Sequence, residues 1–239
     1  MLSFHGGRSV GVFESVLDEI LTGKAPAGSP LASERDLAKR FAVGRPAVRE
    51  SLRRLEAYGL VQSRHGSGNR VLDWKRTGTI DLLPYYLAAG APGTNPQRLL
   101  RELLNMRIYP TTEVVRLAAE YAPQADLDQA DGLIDAAWTH RADAVAFALA
   151  DLEVFRTLAA AVELPPAIWL LNSALPAYRL LVERFAVLVR PPADYRAQLH
   201  DVLGLCAIRK PAKAVDKLTS YFEKHDRAVL KRLGLKPGD

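Results

Sequence analysis

The sequence predicts a mainly α-helical protein: an N-terminal winged helix-turn-helix followed by an all-α helical bundle of six or seven helices. Three observations predict it. Residues 30–71, PLASERDLAKRFAVGRPAVRESLRRLEAYGLVQSRHGSGNRV, read as a helix, a tight connection, a second helix crowded with arginine, and two short strands around a glycine-bearing turn. Beyond residue 78 strand signals vanish and Ala/Leu-rich stretches of helical period take over. The charge is also unevenly placed. Net charge is +5, and residues 1–76 hold 13 Lys and Arg against 8 Asp and Glu, whereas residues 77–239 hold 19 of each. The basic excess therefore sits where phosphates could use it, and the C-terminal part has no electrostatic reason to touch nucleic acid.

Taken in order, residues 9–21 place Val10, Phe13, Val16, Leu17, Ile20 and Leu21 on one helical stripe, ended by Gly23 and Pro26. Ser33 is an N-cap for the next helix, with Asp36 three residues on as an acidic variant of the capping box. Leu37, Ala38 and Phe41 give that helix its inward face. Gly44 breaks the chain, and Pro46 stands where a first-turn proline is tolerated. Val48, Leu52 and Leu55 then point inward, leaving Arg45, Arg49 and Arg53 outward. Arg35, Arg54, Arg64 and Arg70 complete the cluster. Residues 60–63 and 69–72 are expected as strands around a turn at 65–68. Guanidinium groups at the start and along one face of such a second helix suit the DNA major groove.

The expected domains are 1–73, a linker at 74–78 carrying Trp74, and 79–239. Helices are expected at 80–89, 96–121 (kinked at Pro110), 125–139, 142–162, 166–189, 194–208 and 211–233, several separated by Gly-Pro or Pro-Pro punctuation. The single Cys206, among Val202, Leu203 and Leu205, reads as core and not as a nucleophile. It also excludes an intrachain disulfide framework. No apolar run reaches the ~20 residues that span a bilayer, and MLSFHGGRSV lacks a signal-peptide core, so a cytoplasmic protein that does not enter the membrane is expected. An enzyme is not expected. There is no Ser/His/Asp grouping at a motif, no phosphate loop and no complete metal-ligand set.

The run PLASERDLA followed by RPAVRESLRRLEAYGLV resembles the DNA-binding domain of the GntR family, over about 40 residues. The helical second domain resembles the ligand-sensing bundle of the FadR subfamily. The resemblance implies a homodimeric, effector-controlled DNA-binding transcription regulator, repressor or activator, on a pseudo-palindromic double-stranded operator. Carried over by position, Arg35 would touch the phosphate backbone, Arg45, Pro46 and Arg49 the major groove, and His65 and Gly66 at the wing tip the minor groove.

Many members of the subfamily hold a metal through an Asp-x-x-x-His pair and two further histidines. By resemblance Asp151 and His200 occupy two of those positions, but Phe155 and Phe222 replace the other two, so no metal and no cofactor is expected. The same replacement resembles the acyl-CoA-responsive branch of the subfamily and implies a fatty-acid or acyl-CoA effector against Phe155, Tyr178, Tyr221 and Phe222. A small carboxylate held by Arg107, with Arg156 and Arg179 as further candidates, is the alternative. Asp151, His200 and Arg107 could equally form an internal hydrogen-bond network, because polar groups buried in a bundle must find partners.

Overall fold

The structure, a computed structural model, describes residues 11–64, 68–89 and 95–234. The chain divides into two compact units, Met1–Pro96 and Gln97–Asp239.

In the first unit, α1 (Val12–Leu21) buries Val12, Phe13, Val16, Leu17, Ile20 and Leu21. Helices α2 (Glu34–Phe41) and α3 (Arg45–Ala57) form the helix-turn-helix. Ser33 caps α2, its Oγ accepting from the backbone N–H of Asp36 at 3.2 Å. The turn between them opens on Ala42 in the left-handed region, φ 53°, and α3 starts after Gly44 with Pro46 in its first turn. Strands β1 (Val61–Arg64) and β2 (Gly68–Val71) pair antiparallel with Val61 opposite Val71 and Arg64 opposite Gly68. Relative to the sequence expectation the strands are offset by one residue, because Leu60 faces the core beneath α3 and pairing starts at Val61. Leu37, Val48, Leu52, Leu55, Leu60, Val61 and Val71 close the core against α1.

Residues 74–89 differ from expectation. They cluster with the N-terminal unit, and the expected linker is a helical turn, α4 (Trp74–Thr77). Gly59 at φ +73° approaches it so closely that an added Cβ would lie 1.9 Å from the Thr77 carbonyl oxygen. The Thr77 hydroxyl donates to the Gly59 carbonyl at 2.6 Å. After a 3-10 turn at Ile80–Leu82, α5 (Leu83–Ala89) brings Tyr85 against Phe13 and Tyr58, with ring centroids 5.6 and 6.2 Å apart.

The second unit holds α6 (Pro96–Tyr121), α7 (Gln124–Thr139), α8 (Ala144–Ala161), α9 (Pro165–Arg184), α10 (Tyr195–Ala207) and α11 (Pro211–Arg232). Its core joins Val115, Ala118, Ala119, Leu127, Ile134, Leu158, Val202, Cys206 and Leu218. Small residues on α6 allow close helix approach there. Helix α6 runs on through Pro110. That proline is exposed, so the carbonyl it leaves without a donor, on exposed Met106, can be hydrated. Helix α9 ends at Arg184, five residues before the expected end, and a 3-10 turn at Ala186–Leu188 follows. Asp143 caps α8 by accepting from the N–H groups of Val145 and Ala146.

Candidate nucleic-acid interface and effector cavity

Helix α3 has two chemically opposite faces. Val48, Leu52 and Leu55 are at most 7% exposed, whereas Arg45, Pro46, Arg49 and Arg53 face solvent. The 3.6-residue period creates that division, with residues 45, 49 and 53 one turn apart. The helix N-terminus adds the positive end of its dipole beside Arg45 and Pro46. Arg35, in the first turn of α2, is exposed with its side chain 3.7 Å from Asp36. Arg49 reaches across to α2, its Nε 2.8 Å from Glu34 Oε2. A groove of about 310 Å³ runs between α3 and the wing, lined by Glu34, Arg49, Arg53, Glu56, Ser63 and Asn69 among others. Glu56 ties the two sides of this groove together by accepting from the Ser63 N–H at 3.2 Å.

Two arginines of the cluster serve the fold. The Arg54 guanidinium lies over the Phe13 ring, 3.9 Å from its centroid. Arg70 donates to the Gly28 carbonyl at 2.8 Å, fastening β2 to the segment before α2. His65 and Gly66, expected at the wing tip, lie outside the described residues.

In the second unit a cavity of about 50 Å³ gathers Arg107 from α6, Asp151 and Phe155 from α8, Tyr178 from α9, and Tyr221 and Phe222 from α11. Six of the seven effector candidates therefore meet at one place. His200 does not. Its neighbour Leu199 faces the cavity, and one residue further round the helix His200 points to α7. There its Nδ1 lies 2.6 Å from Asp131 and its Nε2 3.5 Å from Asp135. Burial opposes its charged form, but the hydrogen bonds and charges of the two aspartates outweigh burial and hold its pKa above the ordinary value. Arg156 and Arg179 also miss the cavity. Arg156 pairs with Asn172 and Glu153, and Arg179 with Glu183.

Around the cavity, Arg107 pairs with Asp226 and lies over the Phe222 ring, 4.4 Å from its centroid. The Arg107 Nε is buried without a partner among the described residues. Asp151 accepts from the Tyr195 hydroxyl at 2.7 Å. Burial pushes the Asp151 carboxyl up, against the pull of Tyr195, Arg107 and His225. The Tyr178, Tyr195 and Tyr221 hydroxyls are pushed up by burial and by the Asp151 charge, so they stay protonated donors. Arg107 and Asp151 of the alternative internal network thus line the cavity, whereas His200 does not. Sequence reasoning missed His225, Asp226 and Tyr195. His225 was findable, because it lies three and four residues after Phe222 and Tyr221 on one helix face. Among the described residues no three His, Cys, Asp or Glu side chains are grouped to hold a metal ion.

A winged helix-turn-helix with an outward basic helix defines a DNA-binding class of protein. Residues 8–71, which take in α1 to β2, match the sequence model described as "Bacterial regulatory proteins, gntR family". The chain is 43% identical over 109 residues to the HTH-type transcriptional regulator Mce2R of Mycobacterium tuberculosis, covering 46% of this chain and 45% of that protein. It is 32% identical over 146 residues to a Fatty acid metabolism regulator protein of Klebsiella pneumoniae, covering 61% and 59% respectively. The chain thus spans about half the length of the curated relatives it matches. The fold resembles a solved structure of Lar from Listeria monocytogenes with a TM-score of 0.61 at 17% identity, over 92% of this chain and 95% of that one. No described helix is long and apolar enough to cross a membrane.

Proposed function

We propose that the chain is a cytoplasmic transcription regulator that binds a pseudo-palindromic duplex operator as a homodimer, one α3 per half-site in the major groove. The observation that carries this reading is the outward face of α3, with Arg45, Arg49 and Arg53 exposed above a fully buried opposite face. Arg35 adds a phosphate contact in this reading, and His65 and Gly66 a minor-groove one. Substituting Arg45 and Arg49 together by alanine is expected to weaken operator binding about 100-fold or more, from ~1–3 kcal/mol per base-reading arginine. Fluorescence anisotropy with labelled duplex at moderate salt measures it, and retained affinity overturns the assignment of α3.

In the same reading an effector in the second unit changes DNA affinity through a coupling of ~1–3 kcal/mol. A fatty acid or acyl-CoA is favoured by the ring-lined wall of Phe155, Tyr221 and Phe222, and by the name carried by the Klebsiella relative. A small carboxylate is favoured by the cavity volume of about 50 Å³ and by Arg107 beside three tyrosine hydroxyls. Native mass spectrometry of the purified protein, followed by melting scans with palmitoyl-CoA and with short carboxylates, separates them. A raised melting temperature with only one class selects that class, and a rise with neither removes both.

A further inference from the structure

Among the outward arginines of α3, Arg49 is held differently from its neighbours. Its Nε lies 2.8 Å from Glu34 Oε2, whereas Arg45 and Arg53 make no ion pair among the described residues. Glu34 is the first residue of α2, so its backbone is fixed by the Ser33 cap next to it. An arginine has four side-chain torsions, and a charge-assisted bond to Nε removes most of that freedom. It leaves the two terminal nitrogens unused. Those are the atoms that pair with O6 and N7 of guanine in an end-on bidentate contact. The carboxylate also repels phosphates, which turns the guanidinium away from the DNA backbone and toward the base edges.

We propose that Glu34 is a positioning residue for sequence recognition: it grips Arg49 through Nε so that the terminal nitrogens face a base edge. The inference rests on the reading that α3 enters the major groove. Glu34 itself need not touch DNA. It acts by making the base pair opposite Arg49 more selectively read, rather than by adding affinity.

The test is binding selection from a random duplex library with the full chain, followed by affinity measurements on single-base variants of the selected site. Wild type, Glu34→Ala, Glu34→Gln, Arg49→Ala and the Glu34→Ala/Arg49→Ala double variant are compared. Arg49→Ala marks the base pair that Arg49 reads. At that pair Glu34→Ala is expected to lower the discrimination from about tenfold or more to below about threefold. The other base pairs keep their preferences, and affinity for unrelated duplex does not fall. Glu34→Gln keeps an oxygen acceptor of the same reach and retains most of the discrimination. In the Arg49→Ala background Glu34→Ala adds nothing further, since partners that act as a unit do not add.

Undiminished discrimination in Glu34→Ala overturns the inference, as does an independent, additive loss in the double variant. A uniform loss at every base pair also overturns it, because that marks a purely structural role. Failure of the wild type to enrich any motif instead sinks the DNA-reading assignment on which the inference rests.

Discussion

Ala42 holds a left-handed conformation at φ 53°, where a Cβ crowds the following carbonyl. The turn from α2 to α3 imposes it, because α3 must leave at the angle that presents Arg45 and Arg49. Ala42→Gly should relieve the strain and raise stability by ~0.5–1 kcal/mol without altering DNA affinity, as read by urea unfolding and anisotropy. Gly59 is the opposite case, since any side chain there collides with the Thr77 carbonyl. Gly59→Ala should cost ~2 kcal/mol or more in the same unfolding experiment. His200 yields a pH dependence. Its folded pKa is raised, so its stabilising contribution is complete below the ordinary value of 6.5 and is lost as pH climbs through the folded value. The melting temperature of the wild type should therefore fall above pH 6.5 relative to that of His200→Gln. Equal slopes for the two proteins would show that the Asp131–His200–Asp135 contact contributes nothing.

At the level of elements, amphipathic periodicity placed nearly every helix, because the buried stripes of α1, α3, α6 and α11 repeat every three to four residues. What it could not place were features set by tertiary contact. Trp74–Thr77 forms a helical turn because Asp73 caps it and Gly59 receives it, and neither contact has a local sequence period. Six of the seven effector candidates were legible in the sequence as four rings, a carboxyl and an arginine that meet at one cavity. His200 misled because one residue along a helix rotates a side chain by ~100°. The C-terminus of α6 shows another such contact. Arg209, itself left-handed at φ 55°, donates to the carbonyls of Ala118, Ala119 and Ala122 at 3.4, 3.3 and 2.8 Å. Ala118 also accepts from the Ala122 N–H at 3.0 Å, and the carbonyls lie at or just past the end of the helix, where intrahelical donors run out and a cation is favoured. Arg209→Ala should cost ~1 kcal/mol of stability, and Arg209→Lys should recover only part of it because one ammonium cannot span three carbonyls.

For the molecule as a whole, charge partition makes a quantitative forecast. Only some of the basic residues of the N-terminal unit are available to DNA, since Arg54 and Arg70 are committed to Phe13 and Gly28. In the proposed dimer, with Arg35 and Arg53 on phosphates and Arg45 and Arg49 on base edges in each protomer, about four phosphates are neutralised. The slope of log affinity against log salt should then approach about −4. A slope near zero would contradict an electrostatic DNA interface.

The fastening of Gly59 to Thr77 and of Tyr85 to Phe13 also decides where this gene can be cut. A truncated product ending at residue 73 would uncover Phe13 and Tyr58 and forfeit the Thr77 clasp, leaving an apolar surface prone to self-association. A product reaching past Ala89 keeps both clasps, and is the shorter form expected to stay in solution as an autonomous module.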